Sequence, residues 1–275
     1  MRASRAFAIA ICVTLADQQC YAQETSTRAT AIHDLQSIID AKVLRVALTR
    51  FDLPGFHTRG SDGTVRGAEI DLAEQVGSAL GVKVELIEEA DSFDAVIDLV
   101  ATNRADIGIS KLSQTYRRLY RVRFSEPYIT LRHALLFNRA VIAQDPERRS
   151  PAAVLQGFSG RLGVTAGSAY VDFAKNNFPT ATVIEAHRWD DVIANLLNGK
   201  VDAIYRDEFE IRRIVKNNPA LNIRFGTAAI VDQDALLSIA ICDTCSKLQE
   251  LINYHLERTR KNLTLKELLA SDQSK

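Results

Sequence analysis

Net charge is the first thing this sequence lacks: 34 lysines and arginines are matched by 34 aspartates and glutamates. A balanced chain has no overall field to draw in nucleic acid or an anionic membrane surface. Long apolar runs are missing as well. Past the first 22 residues, no segment approaches the roughly 20 apolar residues that a membrane-spanning helix needs. Cysteine is scarce, with only Cys12, Cys20, Cys242 and Cys245. No second CxxC and no spaced histidine pair accompanies Cys242-Asp243-Thr244-Cys245, so a zinc site there would be two ligands short. Neither a metal site nor a cofactor is therefore expected. Low-complexity tracts are absent too, and no Ser/His/Asp order marks a nucleophilic centre.

What is present begins at the amino terminus. Arg2 and Arg5 precede an apolar run from Ala6 to Ala16, and small residues occupy the −3 and −1 positions of a cut after Ala22. This layout predicts a cleavable secretory signal over residues 1–22 and a periplasmic destination. Cys20 follows Ala16-Asp17-Gln18-Gln19, a stretch too polar for a lipoprotein signal. Once the segment is removed, Cys242 and Cys245 are the remaining cysteines. In an oxidising compartment they are expected to close a small disulfide loop, with free thiols or a redox pair as the alternatives that the spacing leaves open.

The rest alternates short β-branched runs with longer amphipathic ones, an α/β pattern. Strands are predicted at 43–48, 82–87 and 105–110, separated by helices over 69–80 and 93–102, with Gly81 as the stop of the first. A second series follows the same order. Its strands fall at 161–164, 182–184 and 199–205, and its helices at 169–176 and 190–197. A last strand at 235–241 precedes a helix from 246 to about 260. Two copies of one pattern imply two related lobes, joined near the polar, proline-containing stretch 138–151. The predicted boundaries are lobe 1 at 38–135 plus 236–275 and lobe 2 at 136–235. In such folds ligands sit at the carboxyl ends of strands, which points to the loops after Leu48, Ser110, Val164 and Tyr205. Of the five histidines (33, 57, 133, 187 and 255), only His57 falls in a loop of that kind.

Five segments in those regions carry a resemblance. They are Gly67-Ala68-Glu69-Ile70-Asp71-Leu72-Ala73; Asp106 to Arg118; Phe124-Ser125-Glu126-Pro127-Tyr128; Gly163 to Ser168; and Asp202 to Asp207. In this order and spacing the chain resembles, from about Lys42 to Asn253, the family 3 solute-binding proteins of ABC importers for polar amino acids. The histidine- and glutamine-binding proteins belong to that group. The resemblance implies a type II periplasmic binding protein fold, with two mixed sheets flanked by helices and a hinge of two crossing strands. It also implies a monomeric receptor that captures a small polar solute, an L-amino acid, and delivers it to an inner-membrane ABC permease.

The residues suit that task on chemical grounds. An amino acid's carboxylate and ammonium must both leave water, so each needs charged or multiple hydrogen-bond partners. Arg118 offers a planar fork for a carboxylate, Ser113 a hydroxyl and an N–H, and Asp207 an acceptor for the ammonium. Gly167 and Ser168 stand where a strand turns into a helix, so free N–H groups there suit an anion. The resemblance assigns Arg118, Ser113 and Ser168 to the carboxylate, and Ser110 and Asp207 to the amino group. Phe51 and Phe56 fall where the family stacks a ring on its ligand; for either, core packing and ligand contact both stay open. Trp189 and Tyr205 read as packing residues.

Lys111 departs from the family pattern, which has a small residue there. A cation facing the cleft favours an acidic solute, or a carboxylate without an amino group; a lysine turned to solvent does neither. The family's aromatic-rich last helix is replaced by a polar, lysine-rich stretch over 257–275. Two further functions stay open, the second on the same fold. One is a periplasmic accessory or sensory protein that binds a protein partner. The other is a dehydratase of the cyclohexadienyl type, with Glu69, Asp207 or Glu208 as the acid.

Overall fold

The computed structural model describes residues 34–143 and 158–259. The expected signal at 1–22, most of the proline-containing connection and the lysine-rich stretch past 259 lie outside them. In chain order the first elements are α1 (Leu35–Ala41), β1 (Val43–Thr49), β2 (Thr58–Arg59), β3 (Val65–Arg66) and α2 (Ala68–Leu80). They continue with β4 (Lys83–Ala90), α3 (Phe93–Ala101), β5 (Ile107–Gly108), α4 (Tyr116–Leu119), β6 (Arg123–Phe124), β7 (Ile129–Asn138) and α5 (Arg139–Ile142). From residue 158 onward come β8 (Arg161–Thr165), α6 (Ala169–Asn177), β9 (Thr182–Ala186), α7 (Trp189–Leu197), β10 (Ala203–Asp207) and α8 (Glu208–Asn217). The last four are α9 (Leu221–Arg224), β11 (Phe225–Leu237), β12 (Ala240–Ile241) and α10 (Ser246–Thr259).

The strands form two five-stranded mixed sheets, ordered β4-β1-β5-β12-β6 and β11-β7-β10-β8-β9, beside the small β2-β3 hairpin. In the first sheet, β1 runs parallel to β4 and β5; in the second, β8 runs parallel to β9 and β10. The repeated pattern in the sequence therefore corresponds to a repeated piece of sheet. One polar device marks the equivalence. The backbone N–H of Arg45 donates to Asp106 at 2.6 Å and its guanidinium to the same carboxylate at 2.6 Å. Arg161 treats Asp202 the same way, at 2.8 and 2.6 Å. In both lobes an arginine on the first strand thus fixes the start of the third.

Local chemistry sets the element ends. Asp34 and Ser37 close a capping box on α1. Gly67, at φ +140°, precedes α2 because a β-carbon there would sit 2.2 Å from the Phe56 carbonyl oxygen. Gly81 ends α2 in the left-handed region, as expected. β1 has neighbours on both edges and is buried from Leu44 through Leu48 except at Arg45, which explains its nearly continuous apolar character.

The structure departs from the sequence reading at three elements. β7 and the long β11 pair antiparallel from Ile129 opposite Leu237 to Asn138 opposite Phe225, with a break in register between Ala229 and Asp234. Neither full strand was anticipated, because Arg132 and His133 interrupt one and Asp232-Gln233-Asp234 the other. The single strand expected at 235–241 is divided: its first part ends β11 in the second sheet and its last part is β12 in the first. Residues 125–128 and 238–239 thus cross between the sheets side by side. Ser125 donates its N–H to the Ile239 carbonyl at 2.9 Å and accepts from the Ile239 N–H at 3.0 Å. Cys242 and Cys245 form the expected disulfide just past β12. Phe209, at the start of α8, leaves its own lobe to join the core around the first sheet.

Candidate functional site

The carboxyl ends of β1, β5, β8 and β10 converge on the space between the two lobes. Lys111, in the loop after β5, reaches across it. Its ammonium lies 3.2 Å from Asp207 and 3.1 Å from Glu210, both on the opposite lobe, and all three side chains are almost wholly buried. The same ammonium stands 4.6 Å from the centre of the Phe56 ring and 5.1 Å from that of Phe209, which meet edge to face. Cation–π attraction therefore adds to the ion pairs.

The loop that presents Lys111 is held from behind. Lys111 has φ +47°, a left-handed conformation that a side chain disfavours. Its N–H donates to the buried Glu69 carboxylate at 2.6 Å, and the Tyr128 hydroxyl donates to the same oxygen. The other Glu69 oxygen lies 2.9 Å from His57 Nδ1, and His57 Nε2 meets the Thr49 hydroxyl at 3.1 Å. Burial, then the Glu69 charge and hydrogen bond, pushes the Tyr128 phenol well above its ordinary value, so it remains a donor. Ser110 anchors the same loop by accepting the Thr49 N–H at 2.9 Å.

On the first lobe, Arg118 is buried at the end of α4. Its guanidinium donates to Asp94 at 2.8 and 3.0 Å and to the Ser113 carbonyl at 3.0 Å. Burial lowers its pKa and Asp94 opposes that shift. On the second lobe, Asp207 caps α8 by accepting the Glu210 N–H at 3.1 Å. Burial raises the Glu210 carboxyl, but Lys111, Arg206 and Arg213 outweigh that and hold it near 2. Ser168 donates its hydroxyl to the Thr165 carbonyl at 2.6 Å and opens α6 without capping it. Gly167, at φ +64°, accepts the Asp94 N–H at 2.9 Å across the cleft. A second bridge joins Arg117 to Asp172 at 3.3 Å.

Five of the predicted site residues, Lys111, Ser113, Arg118, Ser168 and Asp207, line one cavity of about 10 Å³ between the lobes. That is room for about one water, so any larger solute needs the lobes to part. Ser110 and Gly167 are not among the residues that line this cavity. Phe51 packs edge to face on Phe93, 5.6 Å between ring centres, and Phe56 backs the Lys111 ammonium. The lysine is turned inward rather than to solvent.

Sequence reasoning missed Phe93, Tyr170 and Arg206, which line the same cavity. Arg206 is buried, donates to the Thr165 hydroxyl at 3.1 Å and lies between the rings of Phe93 and Trp189, 5.3 and 4.9 Å from their centres. Its place immediately before Asp207 was the available signal. Trp189, read as packing, does pack, but against this guanidinium.

Two related sheets, joined by two crossing segments and facing one charged cleft, define a two-lobed binding protein. The chain belongs to the bacterial extracellular solute-binding proteins, family 3, whose pattern matches residues 44–271. It is 24% identical over 223 residues to the ABC transporter arginine-binding protein 1 of Escherichia coli K12, covering 80% of this chain and 86% of that one. It is 27% identical over 218 residues to the cyclohexadienyl dehydratase of Pseudomonas aeruginosa, covering 78% and 74%. Among solved structures it resembles an amino acid ABC transporter substrate-binding protein of Streptococcus pneumoniae bound to L-arginine. That match has a TM-score of 0.68 and 25% identity, and covers 86% of this chain and 97% of the other.

Proposed function

We infer that this chain is an exported receptor that closes its two lobes around an amino acid and delivers it, unchanged, to an inner-membrane ABC permease. The observation that supports this most is the convergence of Arg118 and Ser113 from one lobe with Ser168 and Asp207 from the other on a single cavity. In this reading the solute's carboxylate takes donors from Arg118, Ser113 and Ser168, and its amino group shares Asp207 with Lys111. Because the groups come from both lobes, the bound solute links them and favours the closed state. Residues 1–22 direct export to the periplasm and are removed there.

Binding without turnover is favoured by what holds the acids. Asp207 and Glu210 are engaged by Lys111, Glu69 by Lys111, Tyr128 and His57, and Glu208 by the Arg132 N–H and the Arg212 guanidinium. None of them stands as a free acid facing the cavity. The likeness to a dehydratase makes turnover the reading to test against.

A thermal-shift screen of protein unfolded and refolded to strip carried-over solute, against the common amino acids and small dicarboxylates, tests this. A ligand at about 100 times its Kd adds roughly 2.7 kcal/mol of stability, a rise of a few degrees in the midpoint. The expected result is a shift that Arg118→Ala and Asp207→Ala each abolish, with the solute recovered unaltered by mass spectrometry. Loss with Arg118→Ala alone would mean a carboxylate lacking an amino group. Recovery of a dehydrated product would overturn the receptor reading, as would no shift with any solute.

A further inference from the structure

The walls of the cleft also carry information about the solute's charge. Three basic side chains line the cavity, Lys111, Arg118 and Arg206, against one acidic side chain, Asp207. That acid is already in use: Lys111 reaches both of its oxygens, at 3.3 and 3.2 Å, and Arg206 lies 3.7 Å away. A solute with a cationic side chain would find no carboxylate in the cavity wall that the protein's own cations have not engaged. It would also meet those cations in a buried site, where like charges repel most strongly.

Four aromatic rings around the cavity already hold a cation. The ring faces of Phe93 and Trp189 that would attract a cation hold the Arg206 guanidinium, and Phe56 and Phe209 hold the Lys111 ammonium. Meanwhile two of the four buried polar atoms that lack a hydrogen-bond partner among the described residues lie at this site: the Tyr170 hydroxyl, on a ring lining the cavity, and Trp189 Nε1, on the ring against Arg206. Unpaired buried donors beside a lining with three cations and one acid suit an acceptor-rich anion.

We propose that the cleft selects a solute with two carboxylates, an acidic amino acid or a simple dicarboxylate, and excludes cationic amino acids. The inference rests on the receptor reading above. One carboxylate goes to Arg118, Ser113 and Ser168; the other faces Lys111, Arg206 and Tyr170. This sets the chain apart from the arginine-binding protein it resembles, whose name gives a cation as its solute.

Calorimetric titration of the stripped protein with L-glutamate, L-aspartate, succinate, L-glutamine, L-arginine and L-histidine tests it. Glutamate and glutamine have nearly the same shape and differ by one charge, so their Kd ratio reads the charge preference directly. The expected result is a dicarboxylate bound at least tenfold more tightly than glutamine, with arginine and histidine not binding. Glutamate tighter than succinate would indicate an acidic amino acid, and the reverse order a plain dicarboxylate; either supports the proposal. Lys111→Met and Arg206→Met should each bring the glutamate-to-glutamine ratio toward one, while Lys111→Arg keeps it. A cationic or neutral amino acid bound more tightly than every dicarboxylate would overturn the charge proposal and leave the receptor reading intact. Binding of none of the six would overturn the charge proposal, and the broader solute screen would then decide the receptor reading separately.

Discussion

The Lys111 ammonium lies 3.2 Å from the Asp207 carboxylate, although the two residues stand 96 positions apart and on opposite lobes. The contact joins the lobes at the place where the solute's amino group is proposed to sit. Lys111 therefore does two jobs, and they can be separated. Its side chain bridges the cleft, while its backbone, held by Glu69 in the left-handed region, shapes the loop.

Two substitutions distinguish these roles. Lys111→Ala and Lys111→Gly both remove the bridge, but only glycine relieves the positive φ. The left-handed conformation costs a residue with a β-carbon about 1 kcal/mol. The glycine variant should therefore be more stable than the alanine variant by about that amount in urea unfolding. Equal midpoints would mean that the loop relaxes once the ammonium is gone.

Tyr170 gives the opposite pattern. Its hydroxyl is buried without a hydrogen-bond partner among the described residues, so Tyr170→Phe removes a desolvated group and not a bond. Stability should stay the same or rise by up to about 1 kcal/mol. Solute affinity should fall by roughly ten- to a hundredfold, the loss of about one hydrogen bond to a charged acceptor. A drop in stability with unchanged affinity would make the hydroxyl a structural group.

How much of this could be read beforehand depended on whether a residue's neighbours in sequence are also its neighbours in space. The placement of Lys111, Ser113 and Arg118 around one cavity was legible because all three lie on one short segment after β5. Ser168 and Asp207 were legible as strand-to-helix junctions. Arg206 was not: in a strand it looks like any charged residue, and its burial depends on Phe93 from the other lobe. Glu210 reads as an exposed helical acid until Lys111 reaches it. β7 and β11 were illegible for a related reason. Their apolar periodicity is broken by polar residues, and their pairing is a long-range antiparallel contact that no local pattern announces.

The Cys242–Cys245 disulfide is expected to matter for stability and not for binding. β12 runs antiparallel to β5, with Ala240 opposite Gly108 and Ile241 opposite Ile107, so Cys242 lies beside Asp106. That is the end of β5 away from the cleft. Closing so short a loop contributes about 2 kcal/mol on the chain-entropy estimate. A Cys242→Ala/Cys245→Ala variant should lose about that much in denaturant unfolding and bind solute as the parent does. A tenfold loss of affinity would instead tie this loop to the geometry of the cleft.

His133 should govern the acid side of the stability profile. It is buried on β7, with Nδ1 on the Tyr205 hydroxyl and its ring against Tyr170 and Phe173. Burial lowers its pKa from 6.5 to about 4, and the charge of Asp207 only partly opposes this. Between those two values the unfolded chain takes up a proton that the folded chain refuses. Stability from this residue is therefore complete above pH 6.5 and is lost as the pH falls toward 4, by about 3 kcal/mol in all. His133→Gln keeps an acceptor for Tyr205 but does not titrate, so its unfolding free energy should stay flatter across that window. If parent and variant fell in parallel from pH 6.5 to 4, the acid sensitivity would lie elsewhere in the chain.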